Sequence, residues 1–148
     1  MGEKIETYEN GELVSTVDTR TLDEVKTIRK NEINDYRSLW ISQGFEYEGN
    51  VFDTDAQSLS NIYGMATAAA VAAPWPSNFT WRDHNNNDVL FSTPAEFVVF
   101  ATVLMNYVNN CYKKSWAAKA EIDSLLTIEE VELYDITANW PDNFYFSG

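Results

Sequence analysis

The sequence predicts an α+β fold, mostly helical, with three main helices and short antiparallel β-hairpins. Three observations predict it. Apolar residues recur at helical spacing in three stretches, each opened by a Thr with Glu or Gln three residues on. Between and before these stretches, short runs of β-formers flank Asn-Gly, Gly-Asn or an Asn-rich loop, the pattern of hairpins. Hydrophobic residues make up 45% of the chain and aromatic ones 14%, which is enough to close a core over 148 residues. The expected organisation is a hairpin extension over residues 1–18, then a single helical domain over 19–148 that ends in an aromatic tail.

The first hairpin rests on Ile5, Thr7, Leu13, Val14 and Val17 around Asn10-Gly11, a two-residue turn signal. Helix one starts at Thr21, whose side chain and that of Glu24 can cap each other's backbone N–H. Leu22, Val25, Ile28, Ile33, Tyr36 and Trp40 form its apolar stripe, and Gly44 is its stop. Glu24, Lys26, Lys30, Glu32 and Asp35 make the solvated face. Residues 45–52 alternate aromatic and acidic around Gly49-Asn50, which predicts a second hairpin. Thr54 and Gln57 read as a capping box for a helix from Asp55 to about Ala73, ended by Pro74 and Pro76. Its stripe is Leu59, Ile62, Met65 or Ala66, Ala69 and Ala73. Trp81-Arg82-Asp83 and Val89-Leu90-Phe91 form a third hairpin about a polar loop. Thr93-Pro94-Ala95-Glu96 opens the longest helix, with Phe97, Phe100, Leu104, Tyr107 or Val108, Cys111 and Tyr112 on its buried face. That pattern continues through Trp116 to Ile122 with room for a kink, and Thr127 to Glu130 starts a last short helix.

Composition excludes several function classes. A formal net charge of -13 argues against nucleic acid as a direct partner, which needs clustered Lys and Arg, and disfavours anionic membrane surfaces. The longest apolar run, Met65 to Trp75, is too short to span a bilayer. Cys111 is the only cysteine, so neither a disulfide nor a cysteine zinc site is expected. The polar start carries no secretory signal, Glu6 breaks the myristoylation pattern, and the Asn78-Phe79-Thr80 sequon reads as chance.

The run Arg37, then Gly44-Phe45-x-Tyr47-x-Gly49-x-x-Phe52-Asp53-Thr54-Asp55-x-x-Ser58, resembles a domain family of unknown function found in tailed-phage and prophage proteins. Members of that family are described as tail proteins or tail-fibre assembly proteins. The alanines of the second helix, Trp81, Asn87, Lys119-x-x-Ile122 and Trp140-Pro141 follow in the same order, so the likeness covers roughly residues 25 to 141. The resemblance implies a phage tail context and supplies no catalytic mechanism. The chain departs from larger members in having only a short N-terminal hairpin and no fibre-like module.

The candidate chemistry is weak. Asp53 and Asp55 could hold a metal or work as an acid–base pair, but an acid beside a helix start is ordinarily a cap. Asp83, Asn85, Asn87 and Asp88 resemble the opening of a calcium loop, yet Asp88 and Pro94 occupy the positions that need Gly and Glu. His84, the only histidine, has no nucleophile motif near it, and Cys111 lies on an apolar stripe. Glu46 and Glu48 alternate with Phe45 and Tyr47 as on a strand with one wet face, although paired carboxylates also occur in glycosidases. No catalytic, cofactor or metal residue is therefore assigned.

The expected function is non-enzymatic: a virion protein of the tail or tail-fibre apparatus, made in the host cytoplasm, that binds other tail or tail-fibre proteins. A homo-oligomer within the virion stays open. A tail-fibre assembly chaperone is the first alternative, and a glycan or cell-wall hydrolase the second. Trp140, Phe144, Tyr145 and Phe146 are the candidate partner anchors, together with the N-terminal hairpin. On that reading, residues 140 to 148 are dispensable for folding.

Overall fold

The computed structural model describes residues 2–71 and 74–147. The elements in chain order are β1 (Lys4–Glu9), β2 (Glu12–Asp18), α1 (Leu22–Ser42), β3 (Phe45–Tyr47), β4 (Asn50–Phe52), α2 (Ala56–Ala70), β5 (Thr80–Arg82), β6 (Asp88–Leu90), α3 (Pro94–Ser124), α4 (Ile128–Leu133) and β7 (Phe144–Tyr145). The fold is α+β and mostly helical, with small antiparallel strand pairs, as the sequence predicts. The chain divides into two compact units, the division falling inside α1 after Tyr36 and inside α3 after Lys114.

The first unit comprises residues 1–36 and 115–138. Its hairpin turns on Asn10 and Gly11, both at positive φ (55° and 81°), the pair of values a two-residue type I′ turn requires. Thr21 and Glu24 form the expected capping box: Glu24 N donates to Thr21 Oγ1 at 3.1 Å, and Thr21 N donates to Glu24 Oε2 at 3.2 Å. Val25, Ile33, Ala118, Ile122 and Val131 are its buried apolar side chains. Ile28, expected on the stripe, is exposed. Lys26 and Lys30, expected in water, reach the end of α3, donating to the Asp123 carbonyl at 2.8 Å and its carboxylate at 2.9 Å. Thr127 caps α4 as expected, accepting from Glu130 N at 3.1 Å, and Arg29 bonds the carbonyls of Val131 and Tyr134.

The second unit, residues 37–114 and 139–148, holds most of the aromatic core. Phe97 and Phe100 on α3 are fully buried and each contacts several rings; Phe91 and Phe52 lie 5.0 Å and 4.7 Å from them, centroid to centroid. α3 runs unbroken for 31 residues. Buried positions recur every seven residues, as Phe97, Leu104, Cys111, Ala118, as Phe100, Tyr107 and as Ser115, Ile122, with Ala101 fourteen residues before Ser115. Tyr112 and Trp116 fall outside these series and are exposed, which corrects their expected burial. Arg37 covers the Tyr112 ring at 4.4 Å.

The start of α2 differs from the expected capping box. Asp55, not Thr54, is the N-cap, accepting from Ser58 N at 3.2 Å. Thr54 is buried and serves the end of α1 instead. Its Oγ1 accepts from Gly44 N at 2.9 Å and donates to the Ile41 carbonyl at 2.6 Å. Two backbone groups left over where the helix stops are thereby satisfied by one hydroxyl. α2 ends at Ala70, short of the expected Ala73, which lies outside the described residues. Gly44 has φ of 106° and Gly49 of 87°, as their roles at a helix stop and a turn require. The β3–β4 turn is centred on Glu48-Gly49, one residue earlier than the expected Gly49-Asn50, because these two residues carry the positive φ values.

The C-terminal tail, which lacks periodicity in the sequence, supplies β7. It pairs parallel to β3, Glu46 with Phe144 and Tyr47 with Tyr145, to give a three-stranded sheet in the order β4-β3-β7.

Candidate partner-binding site

In the first unit, every residue of β1 and β2 is exposed. Directly opposed residues of an antiparallel pair share a face. The register Ile5↔Val17, Thr7↔Ser15, Tyr8↔Leu13 therefore sets Ile5 and Val17 on one face and Tyr8 and Leu13 on the other, because a bulge inserts Val14 into β2 and leaves the alternation of β1 intact; the Tyr8 hydroxyl accordingly donates to the Glu6 carboxylate at 2.7 Å. Ile5, Tyr8, Leu13 and Val17 are 49%, 58%, 52% and 53% exposed. Lys4, Glu6, Thr16 and Asp18 share the face of Tyr8 and Leu13, with Lys4 paired to Glu6 and Glu132, and Arg20 to Asp18 and Glu132.

In the second unit, the sequence-predicted residues separate into core and surface. Phe45, Tyr47 and Phe52 are buried, and Trp81 is half-buried with its ring 5.2 Å from that of Phe97. Trp140 is buried as well, and next to it the Pro141 carbonyl accepts from Trp40 Nε1 at 2.8 Å. Tyr145 is half-buried and stacks on Tyr47 at 5.3 Å. Of the four expected anchors, Phe144 and Phe146 are the exposed ones, set edge to face at 4.3 Å. Trp140 and Tyr145 thus belong to the packing of the unit. Their side chains are committed there, so the tail cannot be removed without opening the core.

The same unit contains a cleft of about 430 Å³ that sequence reading missed, because three separated segments build it. Tyr47, Glu48, Asn50 and Phe52 come from the β3–β4 hairpin, Val89, Leu90 and Phe91 from β6 and the residue after it, and Ala95, Glu96 and Val99 from the first turns of α3. Glu96 is held by its cap, accepting from Ser92 N at 2.7 Å while its own N donates to Thr93 Oγ1 at 3.2 Å. Asn50 gives its amide to Asp83 at 3.0 Å. Tyr47 is 7% exposed, and its hydroxyl makes no hydrogen bond within the described residues. Burial first, then the neighbouring Glu48, Tyr145 and Glu96, push its pKa up to about 12, so the hydroxyl stays protonated.

The candidate catalytic and metal residues have structural partners. His84 Nδ1 and Asp53 Oδ1 lie 2.6 Å apart on the exposed surface. Asp55 caps α2. Asp83, first residue of the calcium-like loop, turns inward, and its carboxylate accepts from Asn85 N at 2.9 Å and Asn87 N at 2.8 Å. The bond from Asn50, with these two, holds its pKa below the usual carboxylate range. Cys111 is fully buried, and burial pushes its thiol up to about 11, which keeps it unreactive near neutrality. Among the described residues no group of three or more His, Cys, Asp or Glu side chains is placed to hold a metal, and no helix is long and apolar enough to cross a membrane.

Comparison with curated proteins and with solved structures finds no match. A family model described as "Domain of unknown function (DUF4376)" matches residues 24–138, a span that includes all of the cleft and leaves the N-terminal hairpin and β7 outside it. The chain belongs to that family.

Proposed function

We propose that the chain is a non-enzymatic component of a phage tail or tail-fibre apparatus and acts by binding other proteins of that apparatus. One observation carries the protein-binding part: the N-terminal hairpin, a two-stranded ribbon on which Ile5, Tyr8, Leu13 and Val17 are all about half exposed. A ribbon of two strands is marginal in water, and its exposed apolar side chains give a partner something to cover. The exposed Phe144 and Phe146 add a second apolar contact on the edge strand of the β4-β3-β7 sheet. The phage context rests on the resemblance carried by residues 44 to 58. Support for a role without catalysis comes from the chemistry just described, in which the candidate acids cap helices and fold loops, and the cysteine is buried.

The place of action on this reading is the virion tail, after synthesis in the host cytoplasm. Quantitative mass spectrometry of purified virions tests it. A structural component is present at a fixed stoichiometry to the other tail proteins. A chain that is absent from virions but co-purifies with the unassembled fibre protein is an assembly chaperone instead. Absence from both removes the tail reading altogether.

A further inference from the structure

The cleft of the second unit has a consistent chemistry. Its walls are apolar, with Leu90 and Val99 half exposed at its mouth and aromatic rings behind them. Its polar groups are acceptors: the Glu48 carboxylate, the second oxygen of the Glu96 carboxylate, and the Asn50 side-chain carbonyl, whose amide is already given to Asp83. Among the described residues no lysine or arginine lines it. The Tyr47 hydroxyl, on a side chain more than nine-tenths buried, opens on this space with no partner among the described residues. That oxygen is reached by solvent, so a donor entering the cleft can bond it in place of water. Two carboxylates without a cation, on low-dielectric walls, attract positive charge into the same space.

We infer that this cleft receives an arginine side chain of a partner protein, its guanidinium at Glu48, Glu96 and the Tyr47 hydroxyl and its methylene stem against Leu90 and Val99. The inference deepens the protein-binding reading above and rests on it for the source of the arginine. A guanidinium has five donors and no acceptor, which matches a set of groups that accept. It is weakly hydrated and packs against aromatic rings, whereas a lysine ammonium is a compact, strongly hydrated point charge. The apolar stem of arginine covers the exposed aliphatic mouth while its head stays charged. A chain of net charge -13 selects partners with basic surfaces, and the cleft gives that attraction a specific seat.

The test is an NMR titration of the ¹⁵N-labelled full chain with N-acetyl-arginine methylamide, and with N-acetyl-citrulline methylamide as its uncharged counterpart of nearly equal shape. The expected result is saturable shifts confined to the amides of residues 47–50, 89–91 and 95–99, with Kd on the order of 1 mM for so small a probe. The citrulline probe should shift them little. Glu48→Gln and Glu96→Gln should each weaken the arginine probe by about fivefold, and Tyr47→Phe should weaken it without losing the stack on Tyr145. Glutamine still serves the cap at position 96, so these variants keep the fold. Equal shifts from both probes would overturn the assignment. So would shifts spread over the acidic surface that persist unchanged in the variants. The titration is independent of virion assembly: a silent titration removes the arginine seat and leaves the tail reading, and absence from virions does the reverse.

Discussion

Thr54 gives the sharpest test of the fold. Its buried hydroxyl accepts from Gly44 N at 2.9 Å and donates to the Ile41 carbonyl at 2.6 Å, so a single oxygen satisfies both backbone groups where α1 stops. Thr54→Val keeps the shape and replaces the hydroxyl with a methyl group. It leaves a buried N–H and a buried carbonyl without partners, at about 1–3 kcal/mol each. The added methyl offsets about 0.8 kcal/mol. The net loss is therefore about 3 kcal/mol. Thr54→Ser keeps both hydrogen bonds and deletes one buried methyl, which costs about 1 kcal/mol. Denaturant unfolding followed by tryptophan fluorescence reads both, as a lowered midpoint at an unchanged slope. The valine variant must lose clearly more than the serine variant. If valine matches the parent, or serine is the worse of the two, the capping role of Thr54 is wrong.

Three further outcomes follow from the same contacts. Gly49→Ala, with φ of 87° and open space around its Cβ, incurs backbone strain alone, about 1–2 kcal/mol, whereas Gly44→Ala adds a 3.3 Å approach to Val51 Cγ1 and should unfold at the lower denaturant concentration. Trp140→Ala should cost about 3–5 kcal/mol, and deleting residues 140–148 should abolish cooperative unfolding, since Trp140 is buried and the carbonyls of Asn143 and Tyr145 accept from Glu46 N and Glu48 N; a truncated chain with native stability would put the tail outside the core. Asp83 has a folded pKa below its ordinary 3.8, so its stabilisation is present above about pH 4 and is lost as the pH falls through the folded value. The stability difference between pH 7 and pH 3, measured by urea unfolding, should shrink in Asp83→Asn; an unchanged difference would mean that the loop bonds of Asp83 contribute nothing.

What the sequence made legible was local. The boxes at Thr21 and Thr127 and the cap at Thr93 join residues three apart, so spacing alone finds them. The same local signal at Thr54 misleads, because its real partners lie 10 and 13 residues back and the adjacent Asp55 takes the helix. β7 is two residues long and pairs with a strand 98 residues earlier, at Glu46 and Phe144, so no periodicity announces it. Tyr112 and Trp116 look apolar by type, but the sevenfold series through Cys111 and Ser115 fixes which face of α3 is buried and leaves them out. The signature aromatics Phe45, Tyr47 and Phe52 are visible as a motif, yet the cleft that Tyr47 and Phe52 help to line needs β6 and α3 from about 40 residues on. The faces of the N-terminal hairpin are obscured too, since one bulge at Val14 decides the side on which Leu13 lies.

Leu13→Ser combined with Val17→Ser tests the central claim most directly. The two side chains are about half exposed on the hairpin, one on each face, so the double variant should keep the parent's circular dichroism spectrum and unfolding midpoint to within about 0.5 kcal/mol. Its incorporation into virions, measured by mass spectrometry relative to an unaltered tail protein, is the decisive quantity. The account predicts a folded protein that is lost from virions, or from the complex with the unassembled fibre protein. A folded variant that enters virions at the parental ratio and binds the fibre protein as the parent does would contradict it.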